Sequence, residues 1–349
     1  MITASADGGT LAIVRYSQKG AAGISIFDAR SATTAAQPSP ELPVIVDALS
    51  ADGSTIYARE WPPSQIGAER LLLDARSGKV VSREPAISFG ADPITWITMV
   101  EERRLYALLV QSDSNATGPR PVEVGAWDLR TGRELWRHGV PSLLAGDWGS
   151  GQAGSDGTVT RFGLVPGFAL SPDGRQLAIV RAFDCCVASG TLWLANTSGG
   201  EILSQRAYQR DASLLNRLFG SSVAAAKEVN QVVVNASFGA DGRVLHVYAQ
   251  SWQYDGGAEP YQYLGMSALD VATPKVLGSD IKMEQWWYQN KILWLRPSPD
   301  GRWVYVFLER TGNADPKGYV LRRLDARSLS VLAARAFDSF RYSVILAAP

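Results

Sequence analysis

The sequence predicts an all-β protein, a β-propeller of four-stranded antiparallel blades, and three observations lead to this prediction. An Asp-Gly turn followed by an apolar strand recurs along the 349 residues, a second turn signature follows each copy, and the two keep a constant order. Repeats of about 40 to 70 residues, each with two apolar faces to bury, are typical of radially arranged blades. We therefore expect one domain that spans residues 1–349.

The first signature is a tight turn with the strand that follows it. Asp-Gly supplies the positive φ angles of a hairpin turn, here at Gly174 and Gly301, and the apolar run behind it predicts a strand. The copies, one of which has charged residues in place of the turn, are SADGGTLAIV (5–14), SADGSTIYA (50–58), ITMVEERRLYALLV (97–110), SPDGRQLAIV (171–180), FGADGRVLHVY (238–248) and SPDGRWVYVF (298–307).

The second signature closes another strand and turns again. Its copies are SIFDARSAT (25–33), LLLDARSGK (71–79), AWDLRTGRE (126–134), LWLANTSGG (192–200), SALDVATPK (267–275) and RRLDARSLS (322–330). The aspartates of these turns are predicted to cap their own backbone, and their repetition argues against a catalytic role. They are Asp28, Asp74, Asp128, Asp270 and Asp325.

Each module is predicted to form four strands. In the fourth module these are GFALS, RQLAIVRA, GTLWLAN and EILSQRA. Six modules are visible, so the propeller is expected to have six blades, or seven if an insertion hides a degenerate one. The tail FDSFRYSVILAAP (337–349) is expected to add an inner strand that closes the propeller with the N-terminal strands.

The repeats resemble those of WD40-like and YVTN-type bacterial β-propellers, through the SPDG turn before the second strand. The segments WDLRTGRELW (127–136) and LDARSGKVV (73–81) are also similar to the quinoprotein-type repeat. The resemblance covers nearly the whole chain and implies the fold. It implies no single activity, because binding proteins, lyases, lactonases and dehydrogenases share such repeats, and no catalytic residue carries over position by position.

Two insertions interrupt the repeats. Residues 138–163 are Gly-rich and are predicted to form a loop. Residues 207–230 are predicted to contain a helix, because Leu214, Leu215 and Leu218 have helical spacing behind an Asp or Ser cap. Functional sites are often found on such insertions.

Composition narrows the range of partners. Lys plus Arg and Asp plus Glu number 34 each, and no basic run could follow a phosphate backbone, so nucleic acid is not expected as a partner. No apolar run reaches the roughly 20 residues that span a bilayer. We expect a bacterial monomer in an extracellular, periplasmic or cell-surface location, with an export signal or anchor that the given sequence does not contain.

The two cysteines, Cys185 and Cys186, are adjacent and lie between the second and third predicted strands of the fourth module. A zinc site is disfavoured because the chain offers only two Cys and two His, and a thioredoxin-like couple is disfavoured because the C-x-x-C spacing is missing. A vicinal disulfide in an exported protein and a pair of ordinary packed thiols both stay open.

Aromatic residues with polar neighbours mark a second candidate surface. Such residues suit the binding of carbohydrate or protein, although packing between blades would also explain them. The candidate ligand-binding residues are Trp286, Trp287 and Tyr288, then Trp252 and Tyr254 in a predicted hairpin, and Asp147 with Trp148 in the Gly-rich insertion.

Two functions follow from these features. The first is a non-enzymatic exported propeller that binds a protein, glycan or small ligand on one face, favoured because no acid–base pair or metal-ligand cluster can be assembled from spacing. The alternative is an enzyme of lactonase or quinoprotein-dehydrogenase type, with a metal or cofactor in the central channel. Ligands from different blades would leave no local motif, so the sequence identifies no cofactor.

Overall fold

The computed structural model describes the chain over the ranges 2–4, 10–17, 20–28, 33–50, 52–60, 69–99, 102–110, 120–153, 159–182, 189–209, 231–252, 261–280, 289–298, 300–311 and 318–337. Within these ranges the regular structure is β-strand, with no α-helix. Four consecutive strands pair antiparallel in each repeat, so the described strands form six four-stranded blades. The predicted all-β class and the six modules are confirmed.

The strands of the first three blades are β1 (Ile2–Ala4), β2 (Thr10–Ser17), β3 (Gly20–Asp28) and β4 (Thr33–Ala36); β5 (Val44–Leu49), β6 (Thr55–Glu60), β7 (Arg70–Asp74) and β8 (Val80–Glu84); β9 (Asp92–Met99), β10 (Arg104–Val110), β11 (Arg120–Asp128) and β12 (Glu134–Ala153). A further strand, β13 (Val159–Val165), precedes the fourth blade.

The strands of the last three blades are β14 (Gly167–Leu170), β15 (Gln176–Ala182), β16 (Ser189–Asn196) and β17 (Ile202–Gln209); β18 (Gln231–Phe238), β19 (Val244–Trp252), β20 (Tyr261–Asp270) and β21 (Val276–Asp280); β22 (Gln289–Pro297), β23 (Trp303–Thr311), β24 (Gly318–Asp325) and β25 (Val331–Phe337). The fourth blade matches the four predicted strands closely. The tail beyond Phe337 lies outside the described residues.

The described residues divide into two compact units, one up to Leu109 with Glu123–His138, the other comprising Val110–Val122 and the chain from Gly139 onward. In the first unit, apolar side chains of the first and second blades share one core, and those of the second and third blades share another. In the second unit, the fourth and fifth blades share a core, as do the fifth and sixth. Within each unit, consecutive blades therefore bury their faces against each other, as the repeats require.

The Asp-Gly turns form as predicted. Gly174 and Gly301 have φ of 70° and 68°. In the turn of the fourth blade, the Ser171 hydroxyl donates to Asp173 (2.6 Å), and Asp173 accepts the Arg175 amide (3.1 Å). The turn is thus closed by its own side chains.

Two predictions about the insertions need correction. Residues 138–163, expected as a loop, are largely strand, because β12 continues to Ala153 and pairs antiparallel with β13. The expected helix at 207–230 is wrong at its start, because residues 207–209 extend β17 along its partner β16. Residues 210–230 lie outside the described ranges. Over the described part of the chain, no helix is long and apolar enough to cross a membrane.

Candidate functional site

The second strand of the long β12–β13 hairpin pairs with a strand that is distant in the chain, and the sequence analysis did not predict this pairing. β13 pairs in parallel with β18, the first strand of the fifth blade, at Gly163–Gln231, Leu164–Val232 and Val165–Val233. The chain then passes through Pro166 into β14, the first strand of the fourth blade. We call the part of β12 from Gly146 onward, with β13, β18, β19 and β20, the bridging surface.

Local features around the hairpin fix its course. Ser142 has a left-handed φ of 59°, which marks a break in the extended backbone of β12. Just before it, the Pro141 carbonyl accepts a hydrogen bond from the buried Trp193 indole (3.1 Å). At the other end, a Cβ on Gly167 would lie 3.0 Å from Val234 Cγ1, so the missing side chain lets β14 approach β18 closely.

One row of paired backbone positions crosses the bridging surface. It runs through Asp147, Gly163, Gln231, Trp252 and Tyr261. Directly paired positions lie on the same face of a sheet, and strands are about 4.8 Å apart, so the row is about 19 Å long. An acidic, an amide and two aromatic positions therefore line up on one face.

Three of the seven predicted ligand-binding residues lie on the bridging surface, and the other four lie outside the described residues. Asp147, Trp148 and Trp252 belong to the bridging surface, with Trp148 paired to Phe162 one position along. Tyr254, Trp286, Trp287 and Tyr288 lie outside the described residues. Gln231 was not predicted as a site residue, because its place in the row depends on the β13–β18 pairing, which leaves no local signal.

The cysteine pair also lies outside the described residues. The flanking strands are described: β15 ends at Ala182 and β16 begins at Ser189, so Cys185 and Cys186 connect the second and third strands of the fourth blade, as predicted. The pairing of the two sulfurs stays a prediction.

A buried histidine in β19 links the fifth blade to the sixth. His246 is fully buried, and its Nε2 donates to the Ala326 carbonyl (2.8 Å) in the turn of the sixth blade. Burial lowers the pKa of His246, while its hydrogen bonds act in the opposite direction. The imidazole is therefore neutral at physiological pH and serves to hold two blades together.

A second cluster of charged residues, in the second blade, was not predicted. Arg59 is paired to Arg70 across β6 and β7, and Arg70 is paired to Glu84 across β7 and β8. Asp47, at the register shift of β5, binds Arg59 through two bonds of 2.8 Å. We call these four residues the ionic row.

The ionic row is shielded from solvent and contacts the third blade. Arg70 is 1% exposed and Glu84 3%. Burial lowers the pKa of Arg70 and raises the pKa of Glu84, and the Arg103 charge, 3.5 Å from Glu84, opposes the second shift. The Trp96 ring lies 5.5 Å from the Arg59 guanidinium carbon. Since Trp96 and Arg103 belong to the third blade, the row links neighbouring blades.

The turn aspartates act as predicted for the four whose contacts the structure gives. Asp74 accepts the Ser77 amide (2.7 Å), and Asp128, Asp270 and Asp325 make the equivalent bond in their own turns. The Ser77 hydroxyl, followed by the Ser77 amide, lowers the pKa of Asp74, and the turn amides lower the pKa of Asp270 and Asp325. The described residues contain no group of three or more His, Cys, Asp or Glu placed to hold a metal ion.

No protein-family model matches the sequence, and no curated protein sequence matches it significantly. Three solved structures align with most of the chain. They are hydrazine synthase of Kuenenia stuttgartiensis (TM-score 0.49, 13% identity, 93% of this chain and 76% of the other), dihydro-heme d1 dehydrogenase NirN (0.46, 14%, 96% and 65%) and an oligogalacturonate lyase (0.50, 12%, 94% and 74%). The likeness to the lyase, with the six four-stranded blades, shows the β-propeller fold.

Proposed function

We propose that the chain is a non-enzymatic, exported bacterial β-propeller of WD40-like or YVTN type, which binds its ligand on the bridging surface as a monomer. The observation that carries this proposal is the parallel pairing of β13 with β18, because it places Asp147, Gln231 and Trp252 in one row. Its setting would be extracellular, periplasmic or at the cell surface.

Among protein, glycan and small-molecule ligands, a glycan chain is the class that the row favours. Aromatic residues offer flat apolar faces with polar tips, which suit the C–H faces of sugar rings, and acid and amide groups suit their hydroxyls. A row about 19 Å long matches an extended ligand rather than an ion. Tyr254, Trp286, Trp287 and Tyr288, which lie outside the described residues, stay predicted ligand contacts.

Screening the purified protein on a glycan array, followed by titration calorimetry of the hits, tests this function. Trp252→Ala should weaken binding roughly tenfold or more, since buried Trp contacts are typical binding hot spots. Trp303→Ala is the matched control, because Trp303 lies outside the bridging surface, 4.8 Å from the Arg302 guanidinium carbon. A Trp252→Ala protein with a lower melting temperature and unchanged binding would assign Trp252 to packing.

The enzyme alternative is tested on the same glycans. Mass spectrometry of each hit after incubation with the protein, with and without added calcium, should show the glycan unchanged. Appearance of a cleaved or oxidised product, together with strong stabilisation of the protein by one ion, would favour the lactonase or dehydrogenase type instead.

The proposal includes a disulfide between Cys185 and Cys186, since disulfides persist in exported proteins. A loop between neighbours is about the shortest possible, so its reduction should barely change the melting temperature. Intact-mass measurement without reductant should show the mass of the oxidised pair, and two readily alkylated thiols would contradict it.

A further inference from the structure

A groove of about 560 Å³ lies at the outer strand of the fifth blade, outside the bridging surface. It is lined by the consecutive residues Lys275–Ser279, by Gln209 at the end of the fourth blade, and by Ser328 in a turn of the sixth blade. All of these residues belong to the second compact unit. Three consecutive blades therefore contribute to one groove.

The groove follows an open strand edge. β21 pairs with β20 on one side and ends the order of its sheet, so no described strand pairs with its other side. The fourth and sixth blades pack on opposite faces of the fifth. Because Gln209 and Ser328 come from these two blades, the groove that both line passes along the outer edge of β21.

One wall of the groove is held rigidly. A Cβ on Gly278 would lie 2.5 Å from the Ser328 backbone, so the absence of a side chain lets this turn close on β21. The turn itself is fixed by Asp325, which accepts the Ser328 amide (2.8 Å) and hydroxyl (2.9 Å). The groove therefore exists before any partner arrives.

Lys275 is the one charged residue among those that line the groove, while Arg327 lies near the carboxylates of Asp270 and Asp325. Lys275, Arg327 and Arg206 are all exposed. Arg206 donates to the Ala272 carbonyl in the turn that precedes Lys275. The nearby carboxylates of Asp270 and Asp325 accept bonds from their own turns. Exposed cations beside an open edge complement an acidic partner.

We propose that this groove binds an extended acidic segment of a partner protein, which adds to the free edge of β21 as a further strand. Main-chain hydrogen bonds to the edge supply affinity in this mode of recognition, and side-chain complementarity supplies specificity. Lys275 contacts the acidic side chains of the segment, with Ser279 and Gln209 as polar partners. This site is independent of the ligand proposed for the bridging surface.

The second blade supplies a matched control. Lys79 and Lys275 hold the same turn position, because the Lys79 carbonyl accepts the Asp74 amide as the Lys275 carbonyl accepts the Asp270 amide. Both lysines are exposed and precede an outer strand. Lys79→Glu therefore repeats the charge reversal at the equivalent position of the second blade, outside the residues that line this groove.

The test measures binding of a labelled heptapeptide of alternating glutamate and valine by fluorescence anisotropy. Lys275→Glu should weaken binding about fivefold or more, while Lys79→Glu leaves it unchanged. A peptide N-methylated at the amides that would face β21 should not bind. Hydrogen exchange of amides 276–280 should slow when the unmodified peptide is bound.

Three results would overturn the proposal. They are absence of binding at millimolar peptide, equal effects of the two lysine variants, and equal binding of the N-methylated peptide. Full competition by free glutamate at equal concentration would show a small-anion site and would also contradict strand addition. None of these outcomes depends on whether the bridging surface binds a glycan.

Discussion

In the second and fourth blades, a row of paired positions near the connection between the second and third strands holds different kinds of side chain. The positions hold Arg59, Arg70 and Glu84 in the second blade, and Ala182, Gly190 and Tyr208 in the fourth. The connection between the second and third strands follows Ala182 directly in the fourth blade, and follows Glu60, one residue beyond Arg59, in the second. These ends are thus filled by charged side chains in the second blade and by a Gly–Tyr pair in the fourth.

The ends of the two blades are stabilised by different interactions. In the fourth blade, the Tyr208 ring covers the space that Gly190 leaves empty, and burial raises the pKa of the Tyr208 phenol. In the second blade, Asp47 and Arg59 are stable out of water only together, because a buried charge needs an opposite one. The end of the fourth blade should be sensitive to added side-chain volume, and the end of the second blade to the loss of a charged partner.

The largest effect is expected for Gly190→Val. A Cβ at this position would lie 2.5 Å from the Tyr208 hydroxyl and closer still to the Arg181 carbonyl. The substitution should cost at least about 4 kcal/mol or prevent folding, because backbone cannot yield as a flexible side chain does. Urea unfolding measures the loss, with Gly139→Ala as control, since no atom lies within 4 Å of a Cβ there. A small loss would show that the fourth blade tolerates volume at its end.

The next largest effect is expected for Asp47→Ala. It leaves Arg59 buried beside Arg70 without its bidentate carboxylate and should cost about 3 to 5 kcal/mol in urea unfolding. The double variant Asp47→Ala/Arg59→Leu removes both charges and should cost less than the single variant. If the double variant is the less stable of the two, the charge argument for the second blade is wrong.

Glu84→Gln should not destabilise the protein at neutral pH and should stabilise it by up to about 1 kcal/mol. Burial raises the pKa of Glu84 against the opposing charges of Arg103 and Arg70, so the neutral form is favoured more in the folded than in the unfolded chain. A raised folded pKa means that the native protein gains stability from Glu84 as pH falls through that pKa. The advantage of Glu84→Gln should therefore shrink as pH falls from neutral towards the unfolded pKa of about 4.3, measured by melting temperature.

The smallest effects are expected at the opposite ends of the two blades, where the turns are alike. Hydrogen bonds from the Ser50 hydroxyl first, and then from Ser54, lower the pKa of Asp52 to about 2, and the Ser171 hydroxyl contributes most to lowering the pKa of Asp173. Ser50→Ala and Ser171→Ala should each cost about 0.5 to 1.5 kcal/mol at neutral pH. Because a depressed folded pKa stabilises only above the unfolded pKa, both losses should fade as pH drops from about 4 to about 2.

The two serine variants also control each other. Each hydroxyl donates to its aspartate at 2.6 Å and accepts a strand amide at 2.9 Å, so the two losses should be similar in size. The Ser54 hydroxyl also donates to Asp52, where the fourth blade has Arg175, so a somewhat smaller loss for Ser50→Ala would be explained by this additional bond.

The parts of the fold that could be predicted are those set by residues close in sequence. The turn around Asp173 and Gly174 depends on a few neighbouring residues, and the strands of the fourth blade follow from it. The β12–β13 hairpin was missed because GSGQAGSDG has the composition of a loop. What makes its flanks extended is the pairing of β13 with β18, and a partner so distant in the chain leaves no local pattern.

Single residues of the candidate site could be predicted from the sequence, but their arrangement could not. Asp147, Trp148 and Trp252 stood out by residue type, but their common sheet did not. The ionic row was missed for the opposite reason. Charged residues in strands usually indicate a solvated face, and only the register shows that Arg59 and Glu84 flank Arg70 in the interior.

The β13–β18 pairing also has a consequence for how the chain folds. Val165 and Val233 are strand neighbours although the whole fourth blade lies between them in the chain. Closing so long a loop costs entropy, and that cost falls once the fourth blade has folded and brought its two ends together. We therefore expect the fourth blade to form early and the bridging surface to be completed last. A cut in the connection between β15 and β16 would leave both fragments joined through this parallel pair.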